Sequence, residues 1–122
     1  MVGTKTQSAR TQSLMRDVNE RLREINDGFG PTQPYGDWLC ECADETCIQP
    51  IALTPGEYDA VRAYPKRFAV AAAQHHVLPE VEFVVERNDR YWVVEKDGLA
   101  GELVARIDPR RTGDRTVTVG FK

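Results

Sequence analysis

Residues Trp38-Leu39-Cys40-Glu41-Cys42-Ala43-Asp44-Glu45-Thr46-Cys47 contain every cysteine of the 122-residue chain. In an extended segment residues i and i+2 face the same way, so Cys40 and Cys42 can offer both sulfurs to one ion. Cys47 returns after Ala43-Asp44-Glu45-Thr46, a polar stretch able to turn. A Zn²⁺ ion takes four tetrahedral ligands, at about 2.3 Å for sulfur and about 2.0 Å for nitrogen. Three thiolates leave one place, and the chain's two histidines stand side by side at His75 and His76. A Cys3His site using one of them follows by elimination. The competing readings are three free thiols, with Cys47 buried as a small apolar residue, and an iron–sulfur cluster, which ordinarily takes four cysteines. An odd number of crowded cysteines does not suit a disulfide framework and does suit a metal in a reducing compartment, so a cytoplasmic location is expected.

Downstream, Thr54-Pro55-Gly56-Glu57 predicts a helix start: Thr54 caps the Glu57 amide, Pro55 suits the first helical position, and Glu57 closes the capping box. That helix is expected to reach about Ala63 and stop before Pro65, with Tyr58 and Val61 facing inward. Arg67 to Ala72 reads as a strand. Val81 to Arg87 and Arg90 to Lys96 are rich in β-branched and aromatic residues and predict a hairpin, with Asn88-Asp89 at a turn that tolerates positive φ. Leu99 to Ile107 reads as a helix in preference to a third strand, and Thr116 to Phe121 alternates like a tail strand.

Upstream, Met15, Val18, Leu22, Ile25 and Phe29 recur at spacings of 3, 4, 3 and 4, an apolar seam along one helix face. About two heptads are too few for a free-standing coiled coil, so the seam must pack on its own domain, on a protein partner or on a second copy. The expected organisation is a disordered segment 1–7, an amphipathic helix 8–29, a linker 30–36, a zinc-binding α+β domain 37–108 and a basic tail 109–122. The fold class is therefore α+β: a long N-terminal helix, then a zinc-stapled domain with one short helix and an antiparallel sheet centred on a β-hairpin.

Several of these segments together resemble a family of small, largely uncharacterised actinobacterial proteins. The resemblance rests on Cys40-Glu41-Cys42, Asp44 and Cys47, then Ile51, Leu53-Thr54, Glu57-Tyr58 and Val61-Arg62. It continues through Pro65, Arg67 to Val70, Pro79-Glu80-Val81-Glu82, Val84 to Arg87, Arg90-Tyr91 and Val93 to Lys96. Asn19 to Glu24 adds a matching helix. The family carries one histidine three residues before the proline of its P-E-V-E motif, which implies Cys40, Cys42, Cys47 and His76 as the ligand set. This chain departs from the pattern at Ala71-Ala72-Ala73-Gln74, where the family has a Pro-Gly turn.

Function is less legible. Lys and Arg number 16 against 19 Asp and Glu, a formal net charge of -3, which argues against a dedicated nucleic-acid coat. No apolar run is long enough to span a bilayer. Nucleotide-loop, hydrolase-elbow and zinc-protease motifs are absent, and a filled Cys3His set leaves no open position for a catalytic water. Glu41, Asp44 and Glu45 read as a solvated turn beside the ion. The expectation is a non-catalytic zinc-stabilised interaction or adaptor protein. The alternatives are a nucleic-acid-associated regulator, using Arg106, Arg110, Arg111, Arg115 and Lys122, and a redox switch that ejects its metal when Cys40 or Cys42 is oxidised.

Overall fold

A computed structural model describes residues 2–29 and 36–110. Helix α1 spans Val2–Phe29 and is followed by strand β1, Gly36–Leu39, and strand β2, Pro50–Leu53. Helix α2 is Pro55–Arg62, strand β3 Arg67–Val70, strand β4 Glu82–Arg87, strand β5 Trp92–Lys96 and helix α3 Gly98–Arg106. A single 3₁₀ turn, Gln74–His76, interrupts the passage from β3 to β4. The expected α+β class is what forms, and no helix among the described residues is long and apolar enough to cross a membrane.

Two antiparallel sheets organise the chain. β1 pairs with β2, placing Trp38 opposite Ile51, and the second sheet has the order β3-β5-β4. Residues 40 and 41 tie the sheets together. The Cys40 N–H donates to Gln49 O and the next N–H, from Glu41, donates to Ala69 O on β3. Consecutive amides reaching opposite neighbours are the mark of an extended chain. Trp38, Leu53, Tyr58, Phe68, Val70, Val94 and Val104 form the heart of the core. Trp38 stacks on Tyr58 with ring centroids 4.4 Å apart, and its indole N–H donates to Leu53 O at 2.8 Å. Such a pairing suits a buried tryptophan, whose one donor needs an acceptor.

The capping box of α2 forms as expected, with Glu57 N–H on Thr54 Oγ1 at 3.0 Å and Thr54 N–H on Glu57 Oε1 at 2.9 Å. The hairpin also forms, though its turn differs from the expected one. Among the described residues only Gly98 has positive φ. Asn88 instead uses its side chain, accepting the N–H groups of Arg90 and Tyr91 at 2.9 Å each, an Asx turn that needs no left-handed residue. β4 carries a bulge at Val85, where Val84 opposes Val94 and Glu86 opposes Val93. α3 crosses β5 so tightly that a Cβ at Gly101 would lie 2.6 Å from Lys96 O, which makes this position intolerant of any side chain.

The largest departure from expectation lies in α1. It begins at Val2 rather than Ser8, inside the segment expected to be disordered. It packs against α3 and β1, so the helix and the domain at 37–108 share one interior. The apolar seam is not its docking face. Leu22 contributes to the core, whereas Met15 and Val18 are half-buried and Ile25 is 54% exposed. The face turned inward instead carries Ala9, Gln12, Arg16 and Asn19, all fully buried. The helix is held by hydrogen bonds to backbone groups that the sheets and helices leave unpaired. Arg16 donates to Pro65 O and to Val104 O at 2.9 Å each, and its guanidinium lies 4.9 Å over the Phe68 ring. The linker at 30–36 falls outside the described residues except for Gly36, which opens β1, and so does the suggested strand at 116–121.

Candidate metal centre

Three separate segments converge on one point. Cys40 and Cys42 leave the end of β1, Cys47 sits in the loop to β2, and His76 closes the 3₁₀ turn after β3. The Cys47 loop is shaped by Asp44, whose Oδ1 accepts Thr46 N–H at 2.9 Å and Thr46 Oγ1–H at 2.7 Å. The Cys47 N–H then donates to Asp44 O at 3.0 Å and completes the turn. The ligand atoms of Cys40, Cys42, Cys47 and His76 all lie within 4.8 Å of one another. His76 Nδ1 is 3.5 Å from Cys40 Sγ and 3.9 Å from Cys47 Sγ. Ligand atoms around a tetrahedral zinc-sized ion are separated by roughly 3.3–3.8 Å, given the bond lengths of such sites, so the donor set fits a metal ion.

Of the two adjacent histidines, His76 is buried in the cluster and His75 is exposed, its ring tilted against that of His76 with centroids 4.1 Å apart. The four residues expected as ligands are therefore the four brought together, and His75 stands outside. The Nε2 atom of His76 is buried and has no hydrogen-bond partner, so only Nδ1 is engaged.

The sulfurs act on one another. Cys42 is pulled down, chiefly by the hydrogen bond from Cys40, with His76 and Cys47 assisting against burial. Cys40 is pushed up by that same bond and by burial, while the Ala71 N–H, 3.2 Å from its sulfur, pulls the other way. Cys47 is also raised, first by burial. A bound metal ion would favour ionisation of all three thiols.

Glu41 corrects the expectation that residues 41, 44 and 45 form one solvated turn. Asp44 and Glu45 are exposed, but Glu41 is fully buried and points away from the sulfurs, because alternation along the extended chain reverses its direction. Its Oε2 accepts Asn19 Nδ2–H and the Tyr58 hydroxyl at 2.9 Å each, and its Oε1 accepts the Ala69 N–H at 2.9 Å. Burial pushes this carboxyl upward, and the three donors draw it back. Asn19 also clasps Leu39, donating to its carbonyl at 2.8 Å and accepting its N–H at 2.9 Å. Gln12 reaches the Glu41 carbonyl and Glu82 Oε1, both at 3.1 Å. These partners went unread in the sequence. The available signal was the spacing Gln12, Arg16, Asn19, Arg23, a second 4-3-4 stripe on α1 made of polar residues.

Compared with known proteins, the chain matches no family model, no curated protein and no solved structure.

Proposed function

We propose that this chain is a small zinc-stabilised interaction or adaptor protein without catalytic activity, working in the cytoplasm. The observation that carries this reading is the closed donor set: three sulfurs and one imidazole nitrogen from three chain segments within 4.8 Å. Sulfur-rich sets of this kind select soft or borderline cations, and zinc is the common occupant of Cys3His. Four protein ligands fill a tetrahedron, so no position remains for a substrate or a reactive water. The resemblance to the small actinobacterial proteins points to the same ligand set.

The partner-facing surface in this reading is the outer side of α1. Because docking uses polar groups, the apolar residues of that helix are left partly outside: Leu14 is 62% and Ile25 54% exposed. Either a protein partner or a second copy of the chain would cover them. A nucleic-acid role is the weaker reading, since Arg110, one of the five cations of the tail region, is spent on Glu20 and Asp59.

Metal analysis of the purified chain tests the central claim. One equivalent of zinc that is lost in Cys42→Ser and in His76→Ala is the expected result. Full zinc content and an unchanged melting temperature in both variants would overturn it. Light scattering of Leu14→Gln/Ile25→Gln against the parent tests the surface, with loss of self-association or of partner capture expected.

A further inference from the structure

The same three residues, Leu39 to Glu41, that lead into the metal site also carry the clasp that holds α1. Cys40 presents its sulfur to His76 and Cys47, and on the opposite side Asn19 and Gln12 grip the backbone and the Glu41 carboxylate. Asn19 spends its side-chain amide wholly on this tripeptide: both backbone groups of Leu39 and one oxygen of Glu41. Both clasping side chains are fully buried, so they cannot exchange these partners for water without the helix moving.

We propose that metal occupancy and the docking of α1 are coupled through this tripeptide, with Asn19 and Gln12 as positioning residues for the metal site. The inference rests on the metal-centre reading above. The physical argument runs in both directions. Two cysteines separated by one residue put their sulfurs on one side only while the chain between them stays extended. A flexible tripeptide would pay the entropy of ordering when it bound an ion. Docked α1 has already met that cost. Conversely, an ion that joins residues 40 and 42 to residues 47 and 76 holds the tripeptide where Asn19 can reach it. Coupling of this kind is reciprocal, so whatever factor docking adds to metal affinity, the metal adds to docking. Apart from Ala9 and Leu22, the docked face of α1 is largely polar, and Glu20 and Arg23 keep their own ion pairs to Arg62, Arg110 and Asp59, so opening the clasp weakens the hold on the helix around Gln12 and Asn19.

Two measurements on the full chain test the coupling. The first is zinc affinity by competition with a chromophoric chelator, in the parent, in Asn19→Ala and in Gln12→Ala, with the exposed Arg21→Ala as control. Loss of groups that orient metal ligands typically lowers metal affinity about 10- to 100-fold, and that range is expected for Asn19→Ala, with Arg21→Ala unchanged. The second needs no variant: hydrogen exchange of the parent before and after zinc removal. The amides of residues 8–19 should lose protection together with those of 40–47, while residues 20–23, tied to Arg62, Arg110 and Asp59, and the β4–β5 hairpin keep theirs. Parent-like affinity in Asn19→Ala and Gln12→Ala, or full protection of residues 8–19 after residues 40–47 have opened, would overturn the coupling and leave the metal site standing. A purified chain that takes up no zinc would instead overturn the metal-centre reading, and this inference with it.

Discussion

Two polar clusters, one of sulfurs and one of ion pairs around the buried Arg62–Asp108 pair, join distant parts of this chain, and they solve the same problem by opposite means. The first is the sulfur cluster at Cys40, Cys42, Cys47 and His76. The second lies further along α1, where Arg62, Arg110 and Arg23 meet Glu20, Asp59 and Asp108. Arg62, fully buried, forks to Glu20 at 2.6 Å and to both oxygens of Asp108, and Arg110 binds Glu20 at 2.7 Å and Asp59 at 3.0 Å. Three guanidinium groups face three carboxylates, so this cluster balances its own charge and links α1, α2 and the chain after α3 without help. The sulfur cluster offers ligand atoms only and, in the function proposed above, needs a cation to complete it. On that reading one staple is permanent, and the other can be opened by taking something away.

That contrast sets the order of effects. Cys42→Ser should be the most damaging change, because structural zinc supplies about 10–16 kcal/mol in peptides that fold around it. A fall of more than about 10 °C in the melting temperature, with a matching fall for the chelated parent, is expected from the size of the domain. A chelated parent that melts with the holoprotein would erase the distinction between the two staples. Next comes Arg62→Ala, which strands the buried Asp108 and costs about 3–5 kcal/mol in urea unfolding, as is usual when one partner of a buried pair is removed. Its loss should be the same in the holoprotein and in any folded chelated form. A zinc-dependent loss would show that the two clusters act as one.

Smaller effects sharpen the picture at the edges. Arg23 and Asp59 form a bridge at 2.9 Å with side-chain exposures of 20% and 40%. Arg23→Ala should therefore cost about 0.2–1 kcal/mol, and less in high salt. The Glu57–Arg90 pair gives the smallest and most pH-specific signal. Arg90 beside it lowers Glu57 to about 2, below its ordinary 4.5. A carboxylate lowered on folding stabilises the fold above its unfolded value and loses that contribution as pH falls through the folded value. The stability gap between the parent and Glu57→Gln, on the order of 1 kcal/mol or less for so exposed a pair, should be full near pH 5 and close toward pH 2. A gap that widened on acidification would assign the pair a different role.

Much of this architecture is legible in the residues, and the reason is locality. The Thr54–Glu57 capping box, the hairpin strands and the C-x-C pair each depend on neighbours within a few positions, and each forms as its pattern demands. The docking of α1 is not local. Counting apolar residues selects Met15, Val18, Leu22 and Ile25, yet the inward face is chosen by which carbonyls the rest of the chain leaves without donors. Pro65 O, Val104 O and Leu39 O are fixed only once β1, α2 and α3 are in place. Glu41 was misread for a related reason. A charged residue between two ligands suggests solvent, and only the assembled helices supply the donors that let its carboxylate go inside.

The two-sided extended segment at Leu39 to Cys42 has a consequence for how this sequence can change length. Side chains along it alternate, sulfur on one side and carboxylate on the other, so its meaning depends on parity. One residue inserted between Cys40 and Glu41 would turn the Cys42 thiol toward Asn19 and Tyr58 and the carboxylate toward the sulfurs, breaking both attachments at once. The loop between Cys42 and Cys47 carries no such parity constraint: its Asp44 turn fixes the residues just before Cys47, and its exposed positions tolerate change ahead of that turn. Natural or engineered variation in length should therefore gather in that loop and spare the tripeptide, a pattern of tolerated insertions that a library of single-codon additions would reveal directly.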